Sequence, residues 1–232
     1  MFYFDYYYLI LVVPAMIFAL IAQASVKGAY SKYSKVGNYK GITGAQAARM
    51  VLDSKGLTNV RIGAVAGTMT DHFDPRTNVI RLSEGVYNTA SVAAVGIAAH
   101  EAGHAIQHAE KYLPNKIRST LVPIANFGSN ISIWLILAGI LLQPNVTWLA
   151  YIGIALFATS TLFSLVTLPV EFNASSRALA ILSSEGIVND AEKKQVKKVL
   201  SAAAKTYVAA LAVSVAQLLR IILIVSGNSR RR

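Results

Sequence analysis

The chain has no cysteine, which removes disulfide frameworks, thiolate zinc sites and thiol nucleophiles from consideration. Any metal it binds must be held by His, Asp or Glu. Charge is scarce as well: 14% of residues are charged, against about a quarter in an ordinary soluble domain. With 54% hydrophobic residues and a mean hydropathy of +0.48, part of the chain is expected to have a bilayer as its solvent. No Asp-Gly pair occurs, so the distant carboxylate motif of a site-2-type intramembrane protease is missing. The net charge of +11 comes without any nucleic-acid-binding module, and the basic residues sit in polar segments between apolar runs. They read as topology determinants, and no nucleic-acid partner is expected.

The 232 residues suit one compact bundle, and the apolar runs divide them into four parts. Residues 1–26 are expected to form an N-terminal transmembrane anchor: Tyr6 to Val26 carries no charge and is long enough to cross a hydrocarbon core of about 30 Å. Ala22-Gln23-Ala24 has the form of a signal-peptide cleavage site, but the leader holds Asp5 and no Lys or Arg, which favours an uncleaved anchor. Residues 27–120 are a polar, cytosolic portion. Residues 121–170 are a transmembrane hairpin, with runs from about Leu121 to Leu142 and from Trp148 to Val170 joined by Gln143-Pro144-Asn145. Residues 171–232 hold a helix starting near Asp190, lysine-rich through Lys205 and apolar from Tyr207 to Val225, interrupted only by Arg220. The fold class expected is mainly α, a helical membrane protein with about four transmembrane segments and a small α+β zincin-like cytosolic portion.

Inside the polar portion, Thr43-Gly44-Ala45-Gln46 has the form of a capping box opening a helix that Gly56 can terminate. Val60-Arg61-Ile62 and Val79-Ile80-Arg81-Leu82 are strand candidates, the second after the turn-like Asp74-Pro75-Arg76-Thr77-Asn78. Val79 to Ser83 is expected to be an edge strand along which an extended substrate pairs. Ser91 to Tyr112 reads as an alanine-rich helix with Ser91 as N-cap and Pro114 just past its end.

That helix carries His100-Glu101-Ala102-Gly103-His104, an H-E-x-x-H pattern in the context the zinc motif requires. Residues four apart lie within about 40° on one helical face, so both imidazoles can reach one ion, with Glu101 beside them to take a proton from the attacking water. Two histidines and a glutamate decorating an apolar helix with no ion would be partly buried without partners, which is costly. Catalytic zinc usually has three protein ligands. The metzincin pattern would need glycine at 107 and histidine at 110, where this chain has Gln107 and Glu110. His108 lies one turn further along the axis and reads as a polar residue near the helix end.

Glu171 is the better third ligand. It is the only acidic residue between Glu110 and Glu185 and directly follows an apolar run, where a carboxylate is expensive without a partner. The stretch from Pro169 to Ala178, PVEFNASSRA, resembles the corresponding motif of the YugP-like neutral zinc metallopeptidases of bacterial membranes. The resemblance extends over Thr70 to Arg76, Arg81 to Tyr87, Ala98 to Gln107 and Lys205 to Ala210, in the family's order. It implies that Glu171 is the third zinc ligand in a gluzincin arrangement. The HtpX-like membrane peptidases are more distantly similar; they usually have an aspartate four residues after the ligand glutamate, where this chain has Ser175, so that residue's orienting role does not carry over.

Other polar residues are weaker candidates. His72 can donate to a substrate carbonyl or orient a ligand, whereas Asp71 and Asp74 are explained by turn chemistry. Arg177 can steady the ligand or stabilise an oxyanion, or serve only as an interfacial cation; Tyr207 is a further oxyanion candidate. The expected protein is a Zn2+-dependent membrane metallopeptidase with His100, His104 and Glu171 as metal ligands, Glu101 as general base, and His72 and Arg177 assisting. It is placed in the cell membrane as a multi-pass protein with its active site facing the cytosol. Its expected partners are a membrane protein or peptide substrate and the lipid bilayer, with a homo-oligomer or membrane partner protein left open. The alternative is a zinc-binding membrane scaffold or adaptor without turnover, which would have no need of Glu101.

Overall fold

A computed structural model describes residues 5–142 and 146–230. The Gln143-Pro144-Asn145 link and the last two arginines lie outside the described residues. A π-helical turn, Tyr8–Val12, leads into α1 (Val13–Tyr33), followed by α2 (Gly44–Asp53), β1 (Arg61–Val65), β2 (His72–Asp74), β3 (Val79–Ser83), α3 (Glu84–Tyr87), α4 (Val92–Ala109), α5 (Leu113–Leu141), α6 (Trp148–Ser184) and α7 (Asp190–Arg230). The protein is mainly helical with one small mixed sheet, and four of its helices are long and apolar enough to cross a membrane. Contacts divide it into two compact units. One holds the chain up to Ala22, Lys116–Leu168 and the chain from Thr206 on; the other holds Gln23–Asn115 and Pro169–Lys205.

The first unit is the apolar one. Its α5–α6 hairpin closes at small residues, as membrane helices without a hydrophobic drive between them require. A Cβ at Gly139 would collide with the Ala150 backbone, and one at Gly128 or Gly153 would stand 2.8 Å from the Leu156 or Ser132 carbonyl oxygen. Arg220, the charge that interrupts the last apolar run, donates to Asp5 Oδ2 at 2.6 and 2.9 Å and lies 5.0 Å from the Tyr8 ring. Asp5 precedes α1 and Arg220 lies late in α7, so these helices run antiparallel in this unit and α7 reaches the level of Asp5.

The second unit has a packed core that includes Leu52, Ile80, Leu82, Ile106, Leu182 and Ile187. Its helices are delimited by local chemistry. Thr43 and Gln46 form the reciprocal capping box at α2, and Ser91 Oγ accepts from the Ala94 N–H to open α4. Asn189 and Glu192 make a second reciprocal cap at the start of α7. Three helix ends share one closing pattern: the N–H groups of Leu57, Tyr112 and Ile187 reach back five residues to Leu52, Gln107 and Leu182, each 2.9 Å. The residues before them, Gly56, Lys111 and Gly186, have φ of 69°, 55° and 58°, which is the Schellman arrangement.

The sheet departs from expectation. Asp71 to Asp74 is not only a turn, because His72–Asp74 pairs antiparallel with β3, and β1 pairs with β3 in parallel, giving the order β1-β3-β2. Val79–Ser83 is therefore the central strand, paired along its length with β1 and through Val79, Ile80 and Arg81 with β2, and is not the edge strand expected. The outer strands are β1 and β2. Helix α6 also runs on past Val170 to Ser184, with Pro169 inside it. Proline there removes one N–H but does not end the helix, because Ala174, Ala178 and Leu182 beyond it are fully buried.

Candidate metal centre

Helix α4 crosses the second unit with alanines at its contact positions: Ala98, Ala99, Ala102 and Ala105 are all buried. Gly103 faces α6 so closely that a Cβ would stand 2.7 Å from the Ala174 carbonyl oxygen. This approach sets His100 and His104 of α4 against Glu171 of α6. The separations are 3.1 Å between the two Nε2 atoms, 3.3 Å from His100 Nε2 to Glu171 Oε2, and 3.5 Å from His104 Nε2 to the same oxygen. Atoms about 2.0–2.1 Å from a tetrahedral zinc ion stand about 3.3–3.4 Å apart. The three donors thus have the spacing of three corners of a zinc tetrahedron, and the group can hold a metal ion.

Neighbouring hydrogen bonds fix the protonation of one imidazole. Arginine can only donate, so the Asn173 atom accepting from Arg177 Nε at 2.7 Å is its oxygen. That oxygen also receives Gln107 Nε2 at 2.9 Å, and the same amide nitrogen donates to the Val170 carbonyl at 2.8 Å. Gln107 Oε1 is then an acceptor, and His104 Nδ1, 3.1 Å away, carries the proton. His104 therefore presents a lone pair at Nε2. Ser175 Oγ lies 3.1 Å from His100 Nδ1 and can accept in the same way. Lone pairs and a carboxylate then converge at the centre, an arrangement that suits a cation and repels itself without one. The donor set fits zinc.

Glu101 is buried, 8% exposed, and is not a member of the three-donor group. Its position in the helix places it next to His100, as the motif requires. His72 is exposed on the outer strand β2, its Nδ1 2.8 Å from the Thr70 carbonyl oxygen, and it is outside the donor group. Arg177 is engaged, holding Asn173 with Nε and Glu110 Oε2 with NH1 at 2.6 Å. His108 is exposed and packs against Phe73 with ring centroids 5.8 Å apart, so it too stands apart from the ligands. Asp71 accepts from the Ser83 N–H and hydroxyl. Asp74 takes the Thr77 hydroxyl and the Arg76 N–H, which hold its carboxyl below the usual range; both aspartates are structural. Tyr207 belongs to the other unit.

Sequence reasoning missed Gln107, Asn173 and Ser175 as orienting groups. A signal was present for Gln107, three residues from His104 on the same helical face. For Ser175 the signal was its place four residues after Glu171, where the HtpX-like peptidases usually have an aspartate; the orienting role was not carried over to serine, yet its hydroxyl lies against His100 Nδ1.

Four helices long and apolar enough to cross a membrane and a group of two histidines and one glutamate able to hold a metal ion are the features of the class, the zinc hydrolases of membranes. The chain belongs to the family described as "Putative neutral zinc metallopeptidase", whose sequence profile matches residues 8–226; that family implies Zn2+ as the cofactor, and the His100, His104 and Glu171 group could hold a metal ion. Over 217 residues it is 47% identical to the "Putative membrane protease YugP" of Bacillus subtilis (strain 168), covering 94% of this chain and 96% of that relative. No solved structure shows a significant match.

Proposed function

We propose that this chain is a multi-pass zinc metalloendopeptidase that cleaves peptide bonds at the cytosolic surface of the cell membrane, with His100, His104 and Glu171 as zinc ligands and Glu101 as general base. The observation that carries this reading is the convergence of the three donors at zinc spacing, with a second buried acid, Glu101, outside that group. His100, His104 and Glu171 would hold the zinc ion, which would supply Lewis-acid chemistry to the attacking water and the scissile carbonyl. Glu101 accepts the proton of the attacking water at its carboxylate and delivers it to the departing amine. Arg177, committed to Asn173 and Glu110, acts as a positioning residue through Gln107 on His104. His72, exposed on β2, is the donor available to a substrate carbonyl. An extended substrate pairs with an outer strand, and β2 is favoured because Phe73 packs it onto the motif helix.

Substrates are membrane proteins or peptide segments near the lipid surface, because Glu171 directly follows an apolar run in α6. The cytosolic assignment rests on Lys27, Lys32, Lys35, Lys40, Lys111, Lys116, Arg118 and Arg177, which flank the apolar runs on one side. The test is cleavage of an unfolded polypeptide such as casein by the purified chain. Activity abolished by a chelator and restored by zinc supports the proposal; a zinc-loaded protein that cleaves no polypeptide favours the scaffold alternative.

A further inference from the structure

The second unit contains an open cavity of about 620 Å³ between α1 and α7, lined by Ser25, Ala29 and Tyr33 on one side and by Lys194, Lys197, Lys198, Ser201 and Lys205 on the other. The spacing explains the convergence. Residues 194, 197, 198, 201 and 205 recur at three- and four-residue steps along one face of α7, and 25, 29 and 33 do so along α1. Tyr33 of α1 and Val199 of α7 belong to one buried cluster with Ala93 of α4.

No acidic side chain lines this cavity, and none of the four lysines has an ion-pair partner among the described residues. Lys193, next in sequence, instead donates to Ser183 Oγ at 3.0 Å. A topology bias accounts for lysines near a membrane end, but not for four of them gathered around one cavity with hydroxyl donors. The location is also specific. In α1 the charge-free run ends at Val26, and in α7 the apolar run begins at Tyr207, so the cavity lies where both helices change from apolar to polar. Basic pockets between membrane helices at that level suit phosphate headgroups.

We infer that this cavity binds a phosphate group, presented by an anionic phospholipid headgroup at the membrane surface or taken as free phosphate. Ammonium groups supply the charge, and Ser25, Ser201 and Tyr33 supply hydroxyl donors. The site is separate from the zinc ligands and does not depend on their role.

The test uses the full chain in neutral detergent, with native mass spectrometry reading phosphatidylglycerol against phosphatidylcholine binding. The wild type binds phosphatidylglycerol preferentially. A variant with Lys194→Gln, Lys197→Gln, Lys198→Gln and Lys205→Gln loses that preference by about tenfold or more. The equally discharged Lys27→Gln, Lys32→Gln, Lys35→Gln and Lys40→Gln variant keeps it, and arginine at the four cavity positions restores it. Unchanged helical circular dichroism confirms that the variants are folded. Millimolar inorganic phosphate that binds alone and displaces the lipid assigns free phosphate as the ligand; lipid binding that phosphate does not disturb assigns the headgroup. Equal losses in both lysine variants, retention in the cavity variant, or binding of neither probe by the wild type overturns the inference.

Discussion

Arg177 Nε donates to Asn173 Oδ1 at 2.7 Å, and through that contact a half-buried cation helps to orient the half-buried His104 of the candidate metal centre. The order of donation runs from Arg177 to Asn173, with Gln107 bridging Asn173 to His104. Groups that orient a metal-bound histidine typically contribute 10–100-fold, as an order of magnitude, in metal affinity. Arg177→Ala, Asn173→Ala and Gln107→Ala should each weaken zinc binding by about that factor in a chelator competition, while Arg76→Ala, at an exposed turn, leaves it unchanged. Unaltered zinc affinity with reduced kcat in Arg177→Ala would instead place Arg177 at the substrate.

Gly103 measures how tightly α4 and α6 must approach. Adding a methyl group there puts a Cβ 2.7 Å from a backbone oxygen of α6, and backbone cannot rotate away. Gly103→Ala should lower stability by about 1–3 kcal/mol, as overpacking does, and lower zinc affinity with it. Gly28→Ala, with nothing within 4 Å, serves as the control and should be tolerated in thermal unfolding. A Gly103→Ala protein with normal stability and zinc content would mean that the two helices are not held at this distance.

The third ligand separates by chelation. Glu171→Ala should release zinc at chelator levels the wild type withstands, and His108→Ala should not, because His108 packs on Phe73 away from the donors. The reverse pattern would refute the ligand set.

The proposed membrane orientation rests on the positive flanks, and the pairing of Asp5 with Arg220 extends it to the end of α7. Since α7 returns to the level of Asp5, position 229 should emerge on the same side as the amino terminus. In this cysteine-free chain, Asn145→Cys and Ser229→Cys should react with a membrane-impermeant thiol reagent on intact cells, and Asn115→Cys should not. Labelling at 115 alone would invert the topology.

Much of the centre was legible in the sequence because its chemistry dictates residue types. H-E-x-x-H on a helix demands a third ligand, and Glu171 stood alone in a long stretch without acids. The capping residues Thr43, Gln46 and Ser91 were legible for the same reason, each answering a local hydrogen-bonding need. What was hidden depends on tertiary contact. His72–Asp74 is a three-residue segment that becomes a strand only by pairing with β3, and its presence moves β3 from the edge to the centre of the sheet. Pro169 and the polarity change after Val170 suggested a boundary, yet buried packing at Ala174 and Ala178 carries α6 through it. Asp5 reads as a leader charge until Arg220, 215 residues later, appears beside it.

The central claim is that Glu101 moves protons and does not hold the metal. It is tested most directly by measuring zinc content and polypeptide cleavage on the same preparation of Glu101→Gln. The account predicts near-stoichiometric zinc with cleavage reduced by about 10²–10⁴-fold, the scale of general acid–base catalysis. Loss of zinc together with activity would make Glu101 a ligand, and full activity with glutamine at this position would contradict the mechanism outright.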